Sequence, residues 1–253
     1  VVHVPLEGNL NLRDLGGYAS ALGGEVRTGC LFRSDELHAL TDSDLDVIAA
    51  LGVRVVFDLR NDAERRLKPS RLWDGAEVHE RETPSHEPTS AGRTLADDIV
   101  SGWVGEADDD QFSGVYIDLL TRLAPELRRI VELAADAVDR PLLFHCAAGK
   151  DRTGIAAAVL LGLLGVPDDT ILDDYELTTK YSTPTRYAEV AELVEQHGAN
   201  AEQVRAFISA RRPVLAKTLA HLQNTWSTYD NYATEVLGIE KDVLDKLRAR
   251  LLA

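Results

Sequence analysis

Cys146 and Arg152 stand six positions apart in the run His145-Cys146-Ala147-Ala148-Gly149-Lys150-Asp151-Arg152-Thr153-Gly154. An apolar stretch, 141–144, leads into this run and another, 155–164, leaves it, so the pattern predicts a strand, a tight turn and a helix starting near Thr153. A loop over Ala147, Ala148, Gly149, Lys150 and Asp151 that curls around one point aims several backbone N–H groups inward. The following helix adds the positive end of its dipole. Such a cradle takes a phosphate dianion, and the same field stabilises a thiolate, which makes Cys146 a nucleophile. The planar fork of Arg152 can hold two equatorial phosphate oxygens and grips harder as charge spreads over them in the transition state. Thr153 can donate its hydroxyl to the sulfur as it leaves, and His145 orients the loop through a hydrogen bond to backbone.

Other readings of the run are weaker. A lone cysteine in an apolar strand is usually an inert core residue, but here strand, glycine, basic residues and helix agree. A nucleotide-binding loop of the Gly-Lys-Thr kind needs a glycine at position 144, where Phe144 stands. A sulfur transferase is disfavoured because Arg152 and Thr153 complete a phosphatase pattern. A phosphate-dependent binding module with weak or no turnover is the alternative from another class, and the presence of both Cys146 and Arg152 argues against it.

The run resembles the active-site loop of the cysteine-dependent phosphatases, and its GKDRTG ending is similar to the atypical bacterial tyrosine and lipid phosphatases related to mycobacterial protein tyrosine phosphatase B. Further matching segments are Asn11-Leu12-Arg13-Asp14-Leu15-Gly16-Gly17, Leu31-Phe32-Arg33-Ser34, Asp58-Leu59-Arg60, Asp174-Tyr175-Glu176-Leu177 and 229–237. They cover nearly the whole chain. The resemblance implies an α/β fold with a doubly wound, largely parallel sheet and a helix-rich C-terminal part, as one phosphatase domain over 1–253. It implies Cys146 as nucleophile, Arg152 as phosphate ligand, and Lys150 as the loop lysine associated with highly charged lipid headgroups. Arg13 and Arg60 are expected near the ligand, Asp58 beside the loop, and Asp14 bracing it through Lys150 or Arg152. A helical pair over 184–223 is expected as a lid. The family's general-acid aspartate aligns with Ser85, which leaves Asp151 as the matched acid, with Glu82, His86 and Glu87 as alternatives. A carboxyl beside a dianion is kept protonated by like charge, as a general acid requires. The competing reading of Asp151 is a salt bridge to a neighbouring Arg or Lys that holds the loop.

These residues need elements to position them. Residues 53–57 are rich in β-branched side chains and read as an internal strand delivering Asp58 and Arg60 at its C-terminal edge. Before it, Thr41 caps a helix with Asp44 at the third position and Leu45, Ile48 and Leu51 as its apolar stripe. A weaker strand follows at 76–81. Strands alternating with helices place ligands beyond the strands' carboxyl ends. The stretch 81–111, rich in Glu, Asp, Ser and Gly, reads as a mobile loop or as a cover with a short helix. Helices are expected at 185–197, closed by Gly198, and at 201–210, 213–223 and 241–252.

Composition bounds the rest. The chain has 253 residues, 45% of them hydrophobic, enough to bury a sizeable core. A net charge of −15 argues against nucleic-acid binding and against general attraction to anionic membranes, so any anionic substrate must be met by local cations. The two cysteines, Cys30 and Cys146, are no disulfide framework. Cys30 reads as a buried strand residue, with an oxidative bridge to Cys146 as the minor alternative. Without a signal-peptide pattern or a bilayer-length apolar run, the chain is expected in the cytoplasm, or secreted without a cleavable signal, and not stably inserted in a membrane. The expectation is a metal-independent, cofactor-free phosphomonoesterase whose partners are a phosphorylated protein or a phosphoinositide, with inorganic phosphate as product.

Overall fold

Alternation along the inner strands sorts their side chains to two faces. Leu31, Val55, Phe57, Leu142 and Phe144 enter one apolar cluster, and Phe32, Val56 and Leu143 enter another. The sheet is therefore packed on both sides, as a doubly wound architecture requires. The computed structural model describes residues 2–81, 99–100 and 108–253. Its strands are β1 (Val2–His3), β2 (Arg13–Asp14), β3 (Leu31–Ser34), β4 (Val55–Asp58), β5 (Glu77–Glu80) and β6 (Leu142–His145), ordered β1-β2-β3-β6-β4-β5. β3, β6, β4 and β5 run parallel, while β1 and β2 join antiparallel.

The register gathers the chemistry at one edge. His145 on β6 lies opposite Ser34 of β3 and Asp58 of β4, so the chain leaves all three strands side by side at their carboxyl ends. The same register separates the cysteines. Leu31 pairs with Leu142, which sets Cys30 level with Pro141, five residues and roughly 16 Å along the strand from Cys146. A disulfide between them is ruled out by reach.

The helices are α1 (Asp42–Ala50), α2 (Asp62–Leu67), α3 (Asp109–Arg122), α4 (Ala124–Ala134), α5 (Asp151–Leu163), α6 (Asp168–Tyr181), α7 (Thr183–Gln196), α8 (Ala201–Ile208), α9 (Arg212–Trp226), α10 (Tyr229–Glu235) and α11 (Lys241–Leu251). α1 has the expected capping box between Thr41 and Asp44, and Asp44 also accepts the backbone amides of Glu7 and Gly8. α5 is buried from Thr153 to Leu161 and starts at Asp151, two residues before the expected position. In the Asp151 turn the backbone is already helical, so the dipole begins inside the motif. Among the described residues no helix is long and apolar enough to cross a membrane.

β2 and β3 create an electrostatic problem that α6 solves. Arg13 lies directly opposite Arg33, and like charges so placed repel. Asp174 of α6 sits between them, with Oδ1 at 2.9 Å from Arg13 Nε and Oδ2 at 2.6 Å from Arg33 Nη1. All three side chains are essentially without solvent exposure. Burial alone would push the Asp174 carboxyl up, but the two guanidiniums reverse this and hold it at about 2. Its folded value is thus below the unfolded one, so its contribution to stability is full above about pH 4 and is lost as pH falls toward 2. Asp174→Asn leaves two buried cations uncompensated and is expected to cost about 3–5 kcal/mol. Urea unfolding at pH 7 and at pH 3 checks this: between the two the variant should lose less stability than the wild type, because the part of the acid-dependent loss that belongs to Asp174 is gone.

Candidate active site

The loop after β6 is held from behind by its carbonyls. Ala147 O accepts from the backbone amide of Glu36 at 3.1 Å and from Arg186 Nη2 at 3.1 Å. Gly149 O accepts from Arg33 Nη2 at 2.9 Å and Asn11 Nδ2 at 3.1 Å. With these carbonyls held from behind, the amides of Ala148 and Lys150, on the opposite side of the same planar peptides, point away from those partners, and they meet no acceptor among the described residues. Gly149 has φ +65°, and a Cβ there would stand 2.5 Å from Ser34 O and 2.8 Å from the Asp35 amide nitrogen. Only glycine fits.

Cys146 is 2% exposed at the head of this loop. His145, which precedes it, is fully buried, with Nδ1 3.1 Å from the Cys146 carbonyl and Nε2 3.6 Å from Asp58 Oδ2. The expected backbone contact of His145 is present. Burial pushes the imidazole toward its neutral form, against the opposing pull of Asp58. Asp58 in turn is held by Arg60, through Nε at 3.0 Å and Nη2 at 2.7 Å. Asp58 thus lies beside His145 at the foot of the loop, where its carboxylate is held by Arg60 and His145 Nε2 makes no hydrogen bond. Thr153 is also fully buried, and its hydroxyl makes no hydrogen bond, to Cys146 or to any other described group.

Arg152 meets a partner that the motif did not suggest. Its Nη1 and Nη2 face Glu64 Oε2 and Oε1 at 2.7 and 2.6 Å, and Nη1 also donates to Leu59 O at 3.1 Å. Glu64 is itself fixed in a capping box. Its carboxylate accepts the Asn61 amide at 2.7 Å, and Asn61 Oδ1 accepts the Glu64 amide at 2.9 Å. Burial opposes ionisation of Glu64, but the Arg152 hydrogen bonds hold it below its ordinary range. The pattern Asn61-x-x-Glu64, directly after Arg60, was the available signal for this helix start.

Three expectations are corrected. Asp14 does not reach Lys150 or Arg152. Its carboxylate accepts the amides of Gly16 and Gly29 at 2.8 and 2.6 Å, because neighbours on a strand point to opposite faces and Arg13 takes the side toward the loop. Arg13 and Arg60 do not face the ligand position either, since each is fully buried against its own carboxylate, Asp174 and Asp58. The cation set near the loop is instead Lys150, Arg152, Arg33 and Arg186. Arg33 reaches the loop through the Gly149 carbonyl.

Lys150 points toward α8. Its Nζ donates to Phe207 O at 2.6 Å, lies 5.5 Å from the centre of the Phe207 ring and stands 3.5 Å from Asp151 Oδ1. Asp151 accepts from the hydroxyl of Tyr116. So the salt-bridge reading of Asp151 has a geometric basis; its side chain is 38% exposed, and it borders a small cavity with Lys150, Tyr116, Tyr175 and Phe207. The other acid candidates, Glu82, His86 and Glu87, lie outside the described residues, as do Ser85 and most of the stretch 81–111.

Residues 4–253 match the family model described as the tyrosine phosphatase family. Over 279 aligned positions, spanning 98% of each chain, the sequence is 32% identical to the triple specificity protein phosphatase PtpB of Mycobacterium tuberculosis. It is 30% identical over 243 residues, 96% of this chain and 86% of the other, to a Cupriavidus necator protein provisionally named a tyrosine-protein phosphatase. Among solved structures it is distantly similar to TpbA of P. aeruginosa, at 19% identity and a TM-score of 0.34 over 76% of this chain and 96% of that one.

The Glu64 contact gives a test of how the arginine is set. Glu64→Gln keeps the cap acceptor but weakens the paired grip, and kcat/KM for an aryl phosphate is expected to fall about 10- to 100-fold with little change in melting temperature. Steady-state kinetics beside thermal unfolding measures both.

Proposed function

The chain belongs to the tyrosine phosphatase family and is a phosphatase of that type, and from this premise we propose that it hydrolyses phosphomonoesters through a cysteinyl-phosphate intermediate, with phosphotyrosine as substrate. The observation that carries the reading is the loop between Cys146 and Arg152, held from behind through the carbonyls of Ala147 and Gly149, with the fork of Arg152 preset by Glu64. Cys146 Sγ attacks phosphorus in line. The Sγ–P bond forms as the bond to the leaving oxygen breaks, and Asp151 gives that oxygen a proton. Arg152 and the loop amides stabilise the charge on the equatorial oxygens. Water then attacks phosphorus, the Sγ–P bond breaks, and Asp151 recovers its proton as inorganic phosphate forms. Thr153, buried with an unused hydroxyl, is suited to donate to the departing thiolate.

A cover over the site supports selection among substrates. Arg186 on α7 ties Ala147, and the carbonyl of Phe207 on α8 ties Lys150, so 184–223 is suited to act as a lid that must swing to admit a substrate. The cluster of Val194 and Val204 with Ile99 closes the outer side of the same pair. A phosphoinositide is the second reading, supported by Lys150, which could exchange the Phe207 carbonyl for a further phosphate of a headgroup. The name of the mycobacterial relative, a triple specificity phosphatase, agrees with more than one class of substrate.

Hydrolysis of 4-nitrophenyl phosphate in the presence of a chelator tests the reaction class. Cys146→Ser is expected to lose at least about 10³-fold in kcat. Tight phosphopeptide binding by the wild type without turnover would favour the binding module instead. For the substrate, a parallel panel of phosphotyrosine peptides and phosphoinositides in mixed vesicles is assayed with Lys150→Ala. The variant should lose about tenfold more on the lipids than on the peptides; equal losses would leave Lys150 as a lid tie alone.

A further inference from the structure

Behind Asp151 lies a pair of tyrosines that the reaction outlined above does not use. Tyr116 of α3 and Tyr175 of α6 are 2% and 1% exposed, their rings meet edge to face, and their hydroxyl oxygens are 2.6 Å apart. Tyr116 also donates to Asp151 Oδ1. A hydroxyl has one proton. Because that of Tyr116 goes to Asp151, the 2.6 Å contact must be donated by Tyr175, and the chain of donors runs in one direction: Tyr175 to Tyr116 to Asp151. Two buried tyrosines could satisfy each other anywhere in a core, but here the third member is the first residue of the loop helix.

We propose that Tyr116, backed by Tyr175, is a positioning residue for Asp151: it occupies Oδ1 and so fixes Oδ2 as the oxygen that carries the proton to the leaving group. This rests on Asp151 being the general acid. When Oδ2 gives up its proton, as the P–O bond breaks and the Sγ–P bond forms, the new carboxylate already has a directed donor on its other oxygen. Such preset donors act without reorganising at the moment of reaction. In the second half, the same carboxylate takes its proton back on Oδ2 from the attacking water. Lys150 at 3.5 Å reinforces the anion from the loop. Arg211, which pairs with Asp109 at 2.8 Å, borders the same small cavity, and Arg33 stands behind Tyr175. Gly154 belongs to the device as well, since a Cβ there would stand 3.0 Å from the Tyr175 ring.

The test is leaving-group dependence, because a poor leaving group needs the proton and a good one does not. Rates of Asp151→Asn, Tyr116→Phe and Tyr175→Phe are measured on phenyl phosphate and on 2,4-dinitrophenyl phosphate. Asp151→Asn should lose about 100-fold or more on the first and little on the second. Tyr116→Phe should show the same bias at about tenfold, and Tyr175→Phe at about threefold, with circular dichroism and melting temperature near wild type. Equal losses of Tyr116→Phe on both substrates, or none on either, overturn the proposal while a biased Asp151→Asn upholds the acid. An unbiased Asp151→Asn removes the acid assignment and the positioning role with it. Should Tyr116→Phe not fold, the bias of Tyr175→Phe, which leaves the Asp151 contact in place, decides the matter, and its absence overturns the proposal.

Discussion

The carboxylate of Asp174 lies between Arg13 and Arg33 and joins three parts of the chain that are far apart in sequence: the N-terminal strand pair, β3 and the helix after the loop helix. Arg33 then reaches the carbonyl of Gly149, and Asn11, whose side chain accepts from Arg13 at 2.6 Å, reaches it too. The back of the phosphate cradle is thus nailed to a buried ion network. Buried charges are costly unless paired, and Asp174 takes further donors here: Tyr18 donates to its carboxylate and Arg13 to its carbonyl, while Arg33 Nε stays without a partner among the described residues. This network reaches the loop through the Gly149 carbonyl, which Arg33 and Asn11 hold in place.

What the sequence disclosed follows the range of the interactions involved. The strand, loop and helix around Cys146 are local, set by an apolar run, two glycines and a helix start, and they were legible to within two residues. The Thr41 box was equally plain because both partners lie within four residues. Asp14 misled for a physical reason: adjacency to Arg13 suggests a shared task, yet the strand turns the two side chains to opposite faces, and only the partner strand and α6 decide who meets whom. Glu64 and Tyr116 belong to elements 88 and 35 residues from their loop partners, Arg152 and Asp151. Their chemistry is ordinary in the sequence and acquires meaning only when the sheet order sets β4 and α3 against the loop. α3 and α4 were not read from the sequence at all, since they follow the uncertain stretch 81–111.

The net charge of −15 is reconciled with an anionic substrate at the level of individual pairs. Each cation around the cradle has a protein partner: Arg152 has Glu64, Arg186 has Asp35 at 3.3 Å, and Lys150 has Asp151 and the Phe207 carbonyl. The site in this state is close to neutral, and Cys146 is sealed. A dianion entering it gains less from bulk attraction than from taking over positions already shaped for oxygen, and this favours discrimination by geometry over discrimination by charge. The ties from α7 and α8 to the loop are of the same kind. Arg186 and Lys150 each bind a backbone carbonyl, a weak acceptor beside a phosphate, so their release by a substrate is a favourable exchange of acceptors.

Glycine positions in the motif show that the front and the back of the loop are shaped together. Gly149 is required by the approach of Ser34 and Asp35 at the end of β3, and Gly154 is closely approached by the ring of Tyr175 from α6. Neither contact is with a substrate. The motif that reads as a phosphate signature is therefore, at two of its ten positions, a record of how closely the neighbouring strand and helix press on the loop from behind. On that side the carbonyls of Ala147 and Gly149 are held by Glu36 and Arg33. Anion binding on the concave side is the consequence of packing on the convex side, and a substitution behind the loop should alter the reaction through the direction of its amides while leaving Cys146 and Arg152 untouched.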